Sequence, residues 1–253
     1  MIDMYVKLIV VGCGGTGGDY IASMGRYLYS LPQTERSRIS LILVDGDTVE
    51  EKNIARQPFI DDDIGMNKAV ALGDALRDVY GLSVLAYPRY LESIEDLNQL
   101  TAQSGSNTLV VLIGCVDNHN ARKIMDDFFH SYKGSMVYLD SANEFCGGEM
   151  VVSLRNQSTV IAPTRHYYYP DLYDGDMRSA RELSCAALNE SKPQHLVTNK
   201  MAATILLAHT MKVFNSAVED GGIGCLQGGI VYFDAFRSMQ EFVPYKRKGF
   251  AYE

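Results

Sequence analysis

A chain of 253 residues with a formal net charge of −8 is long enough to bury an α/β core. Its acidity argues against a nucleic-acid partner, because a phosphate backbone wants a basic face and the one basic run, Lys246-Arg247-Lys248, reads as a solvated tail. Nothing resembles a signal peptide, and no apolar stretch nears the roughly 20 residues of a membrane span, so no membrane association and a cytoplasmic location are expected.

In chain order, an apolar strand over Val6–Val11 runs into the glycine-rich turn Gly12-Cys13-Gly14-Gly15-Thr16-Gly17-Gly18. A helix over Thr16–Leu31 follows and ends before Pro32. After the polar link Gln33–Arg38, a second apolar strand, Ile39–Val44, delivers Asp45 at its end. Asp63 is expected to start the turn into a helix over Asn67–Tyr80, with Asp61 and Asp62 solvated, Lys68 in the first helical turn and Gly81 closing it. Ser83–Pro88 and Thr108–Ile113 are further β-branched runs, and strands alternating with helical patterns predict a parallel sheet. After Asp140 the pattern changes to strands over Glu149–Leu154 and Ser158–Ala162, then a late hairpin of Gly229–Asp234 with Ser238–Val243. Between these lie a polar, tyrosine-rich loop over Pro163–Leu183 and a long helix over Thr198–Ser216.

The expected organisation is a single α/β domain over 1–253. A Rossmann-like nucleotide-binding half, 1–145, is extended by antiparallel strands in 146–253, which hold a crossover-type loop over 163–184 and a helix over 198–216. A glycine turn between strand and helix suits phosphate, since backbone N–H groups at a helix start face the oxygens. Asp45 stands where a ribose hydroxyl pair is held in doubly wound folds, but later than the usual dinucleotide spacing, which disfavours an NAD oxidoreductase.

Further motifs follow in a fixed order: Asp45-x-Asp47-x-Val49, Asn53-x-x-Arg56-Gln57, Asp63-Ile64-Gly65-Met66-Asn67-Lys68 and Gly114-Cys115-Val116-Asp117-Asn118. This order resembles the E1-like family, the ThiF/MoeB adenylyltransferases and the adenylation halves of ubiquitin-activating enzymes. The resemblance is densest over Lys7–Asn143, continues through Ser184-Cys185-Ala186, Thr198-Asn199 and Gly229–Asp234, and is closest to short ThiF-like proteins of bacterial gene cassettes.

The resemblance implies ATP-dependent adenylation of the C-terminal carboxylate of a ubiquitin-like or sulfur-carrier protein with a Gly-Gly tail, carried out by a homodimer. It assigns Gly12, Gly14, Gly15 and Gly17 to the nucleotide, Asp45 to the ribose, Asn53, Arg56 and Lys68 to phosphates, and Asp117, beside Asn118, to Mg²⁺. Arg56, Lys68 and Asp117 would then be catalytic; singly, such side chains are usually just solvated. Asp47 is either near the nucleotide or metal, or a turn residue satisfying its own backbone. Cys185 is either the thiol that takes the activated acyl group or a small buried hydrophobe.

Departures from the family pattern also carry expectations. The five cysteines, at 13, 115, 146, 185 and 225, include no Cys-x-x-Cys pair, so neither disulfides nor the zinc of many relatives is expected. Cys115 reads as core and Cys13 as a tolerant loop position. The helix that supplies an arginine to a neighbouring subunit has no counterpart before Lys7, which leaves Arg165, Arg178, Arg181 or a separate partner to supply one. Tyr167, Tyr168, Tyr169 and Tyr173 with His166 either clamp an extended tail or pack the loop onto the domain. The rival reading is a non-catalytic ATP-binding scaffold.

Overall fold

Alternating side chains along β1 (Tyr5–Val11) enter two different cores: Val6, Leu8 and Val10 on one face, Ile9 and Val11 on the other. The same division holds in β2 (Ile39–Val44) and β4 (Thr108–Gly114), so these strands are covered on both faces. The structure is a computed structural model that describes residues 4–105, 107–175, 177–178, 196–218, 223 and 226–246.

One face is covered by α1 (Gly15–Ser30), α4 (Lys68–Tyr80) and α8 (Leu196–Val218), which contribute Tyr20, Met24, Leu72, Leu76, Leu206 and Phe214. The opposite face is covered by α5 (Ile94–Thr101) and α6 (His119–Ser131), with Leu97, Met125, Phe128 and Phe129. Each large apolar side chain buried this way stabilises the fold by roughly 1.5–3 kcal/mol. The remaining helical pieces, α2 (Gln33–Arg36), α3 (Glu51–Ile54) and α7 (Arg165–Tyr168), are single turns.

Among the described residues the strands form one nine-stranded sheet in the order β3-β2-β1-β4-β5-β6-β8-β9, with β7 beside β6. Strands β3 (Val84–Tyr87), β2, β1, β4 and β5 (Ser135–Asn143) are parallel; β6 (Gly147–Asn156), β7 (Thr159–Ala162), β8 (Gly229–Asp234) and β9 (Met239–Pro244) continue antiparallel. The fold is the expected parallel sheet with an antiparallel extension. Chain order reverses between β1 and β4, which opens a crevice at their carboxyl ends, where ligands bind in such sheets.

Asp63, at the end of the 3-10 turn Asp61–Asp63, does start the turn into α4, its carbonyl accepting the Met66 N–H at 2.9 Å and its carboxylate the Ile60 N–H at 2.9 Å. Asn67 then caps the helix by accepting the N–H groups of Ala69 and Val70. One local expectation needs correction. The loop from Pro163 is less irregular than its composition suggests, because Thr164 and Arg165 are buried and α7 passes into a second 3-10 turn, Pro170–Tyr173. No helix among the described residues is long and apolar enough to cross a membrane.

Candidate active site

The turn after β1 can close only with glycine at two points. Gly12 has φ +93°, and a Cβ there would lie 2.5 Å from the Cys115 carbonyl oxygen. A Cβ at Gly17 would overlap the Gly12 carbonyl, so Gly17 lets α1 seat against the turn and does not itself line the cleft. No side chain caps α1, and Gly14, Gly15 and Thr16 at its start face a cleft of about 990 Å³.

Asp45, at the end of β2, ties this turn to the next. Its carboxylate accepts the Cys13 N–H at 2.6 Å and the Asp47 N–H at 2.8 Å. Burial, then the neighbouring Asp47 charge, push its pKa up to about 6 against the pull of Lys68 and the two N–H donors. Cys13 is fully buried in the core and is not a tolerant loop position.

Asp47 does not satisfy its own backbone. Its carboxylate accepts the Lys68 ammonium at 3.0 Å and the Tyr90 hydroxyl at 2.5 Å, with the Tyr90 ring against Gly46. Lys68 reaches it because the Asn67 amide donates to the carbonyls of Asp45 and Asp47, at 2.8 and 3.0 Å, fixing the start of α4 beside the end of β2. Arg56 and Gln57 come from the segment after α3 and line the cleft beside Lys68. The Gln57 Oε1 atom is buried there and has no hydrogen-bond partner among the described residues. Asn53 is not at the cleft: it is buried, and its side chain accepts the Glu50 N–H at 2.9 Å, stapling the start of α3.

On the opposite wall, the end of β4 brings exposed Asp117 to the cleft, followed by Asn118, which caps α6 by accepting the Ala121 N–H at 2.8 Å. Behind them Arg122 is buried, with Nε 3.2 Å from Asp140 and Nη2 donating to the carbonyls of Val116 and Ser141. Arg165 is buried as well, pinned by the carboxylates of Asp140 and Glu149. Held this way it cannot reach a neighbouring subunit, so the expectation of an arginine finger at Arg165 fails; Arg178 is exposed, and Arg181 lies outside the described residues. Sequence reading also missed Arg89, Tyr90, Arg122 and Asn143, all of which line the cleft.

Cys115 borders the cleft too, but burial and the Asp140 charge raise its pKa, which keeps the thiol protonated and a poor nucleophile. Cys185 lies outside the described residues. Two tyrosines of the loop pack onto the domain, Tyr169 donating to Glu149 and Tyr173 to Asp126, whereas Tyr167 and His166 are exposed.

The order of these groups around one cleft is that of a known family, whose model, the ThiF family, matches residues 5–245. The chain belongs to the ThiF family. Among solved structures, this ThiF-family chain is similar to the Microcin C7 biosynthetic enzyme MccB in complex with N-formylated MccA, with a TM-score of 0.63 and 16% identity over 96% of this chain and 65% of that one. It is also similar to E. coli MccB with ATP, with a TM-score of 0.62 and 14% identity over 98% of this chain and 65% of that one. For PaaA the TM-score is 0.58, with 19% identity over 95% of this chain and 65% of that one. The chain thus spans less than two thirds of the length of each. No curated protein sequence matches it significantly.

Proposed function

We propose that this chain adenylates a carboxylate at the C-terminus of a peptide or small protein, with ATP as the nucleotide donor. The observation that carries the reading is the convergence on one cleft of the uncapped α1 start, Asp45, Arg56, Lys68 and Asp117. Those groups match a nucleoside triphosphate in shape and charge: space where a Cβ would intrude, an acceptor for ribose, and cations for phosphate. The buried Gln57 Oε1 supplies a further polar atom awaiting a partner. The MccB structures with ATP and with MccA point the same way by similarity.

In the reaction, a substrate carboxylate oxygen attacks the α-phosphorus, and the bond to the bridging oxygen of the β-phosphate breaks. Pyrophosphate leaves with that electron pair, and no proton moves. Arg56 and Lys68 place positive charge where negative charge gathers in the transition state. Asp47 and Tyr90 orient the Lys68 ammonium, and Asn67 ties the start of α4 to the segment that follows β2. Mg²⁺ fits Asp117: that ion usually takes one or two carboxylates and completes its shell with phosphate oxygens and water, so the lack of a three-residue acidic or thiol cluster among the described residues is no obstacle. Bound there, it would supply further neutralisation of the phosphates.

Family resemblance extends the proposal to a homodimer and to acyl transfer to Cys185, and it offers a ubiquitin-like or sulfur-carrier protein as one candidate partner beside a peptide. ATP–pyrophosphate exchange with purified protein, Mg²⁺ and candidate carboxylate tails tests the reading. Exchange that depends on the tail supports it. Binding of ATP with no exchange on any tail would favour a non-catalytic scaffold. With an active tail, Cys185→Ser is expected to retain exchange and lose any thioester; a thioester that persists would remove Cys185 from the reaction.

A further inference from the structure

Beside the nucleotide cleft lies a second chamber of about 520 Å³, more open to solvent than the cleft, and the two share His119, Arg122, Ala142 and Glu149 in their walls. The size falls within the roughly 300–1,000 Å³ of pockets that enclose small molecules. Its position follows from the sheet order. Asp45 closes β2, the glycine turn closes β1, Asp117 follows β4, and Ser141–Asn143 end β5, with β2, β1, β4 and β5 lying side by side. A nucleotide with its ribose at Asp45 and its α-phosphate at the glycine turn therefore directs an acyl group towards β5, where the second chamber opens.

The lining of that chamber selects. Ala142, Pro170, Leu172 and the bodies of Tyr168 and Tyr169 offer apolar surface. The buried charged groups in and behind the wall pair with one another: Arg122 is held by Asp140, Arg165 by Asp140 and Glu149, and Tyr169 donates to the other oxygen of Glu149, while Asp171 in the lining is exposed. An anionic side chain entering here would lose water and find both guanidiniums already engaged, and a cationic one would gain little from the exposed Asp171 carboxylate. A Gly-Gly tail would leave the space unfilled.

We infer that the terminal residue of the substrate carries an uncharged apolar or aromatic side chain, which seats in this second chamber while its carboxylate reaches the α-phosphate. This rests on the adenylation reading and names the substrate class for it.

Stable mimics of the acyl-adenylate, the 5′-O-(N-aminoacyl)sulfamoyladenosines, separate the two claims because one half reports nucleotide binding and the other the side chain. The glycyl, leucyl, phenylalanyl, aspartyl and lysyl compounds are titrated calorimetrically against the whole protein. Leucyl or phenylalanyl binding at least about tenfold tighter than glycyl is expected, from burial of two or more methylene-sized groups, with aspartyl and lysyl no tighter than glycyl. Leu172→Trp, which narrows the chamber, is expected to cut the phenylalanyl-to-glycyl ratio about tenfold, and glycyl binding by that variant shows that it is folded. Glycyl binding as tight as the rest, or a charged compound binding best, would overturn the chamber assignment while leaving the adenylation reading standing. Failure of every compound to bind would overturn both.

Discussion

Two pairs of cations stand within one wall's thickness of each other and differ in what surrounds them. Arg122 and Arg165 are buried, and they donate hydrogen bonds to Asp140, Glu149 and the carbonyls of Val116, Ser141 and Asp140. Arg56 and Lys68 line the cleft, Arg56 half-buried and Lys68 buried but held by a single carboxylate that is itself oriented by Tyr90. The first pair spends its charge on the protein; the second presents its charge to a ligand. Residue type does not distinguish them; engagement does.

The largest expected effect tests the saturated pair. Asp140→Asn leaves two buried guanidiniums short of their shared counter-charge, and such a loss costs about 3–5 kcal/mol; urea denaturation should show it, while Arg56→Ala stays within about 0.5 kcal/mol of wild type. A mild Asp140→Asn would mean that the wall is wet. Next, Lys68→Ala is expected to slow pyrophosphate exchange about a hundredfold to a thousandfold, the scale of losing one preorganised charge-stabilising donor. An equal drop in exchange and in stability, with ATP affinity tracking unfolding, would move Lys68 into the structural group.

Asp45 sharpens the comparison through pH. Its pKa is about 6, and ribose hydroxyls donate better to its ionised form, so nucleotide binding lowers that pKa. Affinity for ATP should then rise with pH through about 6 and level off above it; well below 6 it falls by up to about tenfold per unit. Asp45→Asn should flatten the profile, and an unchanged profile in that variant would assign the titration elsewhere. The smallest effect is at the helix cap: Asn67→Ala should cost about 1 kcal/mol of stability and weaken ATP binding slightly through the lost ties to the Asp45 and Asp47 carbonyls.

The same contrast explains what the sequence made legible. β1, β2, β4 and the cleft residues at their ends announce themselves because apolar runs end at polar groups a few residues away, and the C-cap of α4 is local, closed by Gly81 as expected. β5 was not foreseen, since Asp140 and Ser141 interrupt its apolar run; they are buried only because Arg122 and Arg165, 18 and 25 residues away, meet Asp140 inside the fold. Tyr90 was missed for a related reason, as its role depends on Asp47, 43 residues earlier. Asn53 and Gly17 fell in the right motifs for a reason other than ligand contact, one stapling α3 and the other seating α1.

The central claim, that the cleft cations serve a nucleotide while the wall cations serve the fold, is most directly tested by calorimetric titration of ATP·Mg²⁺ into wild type and Arg56→Ala, with NAD as the control ligand. The account predicts that ATP binds wild type, that NAD does not, and that Arg56→Ala loses at least about tenfold in ATP affinity at unchanged thermal stability. ATP binding equally well to both proteins, or to neither, would contradict it.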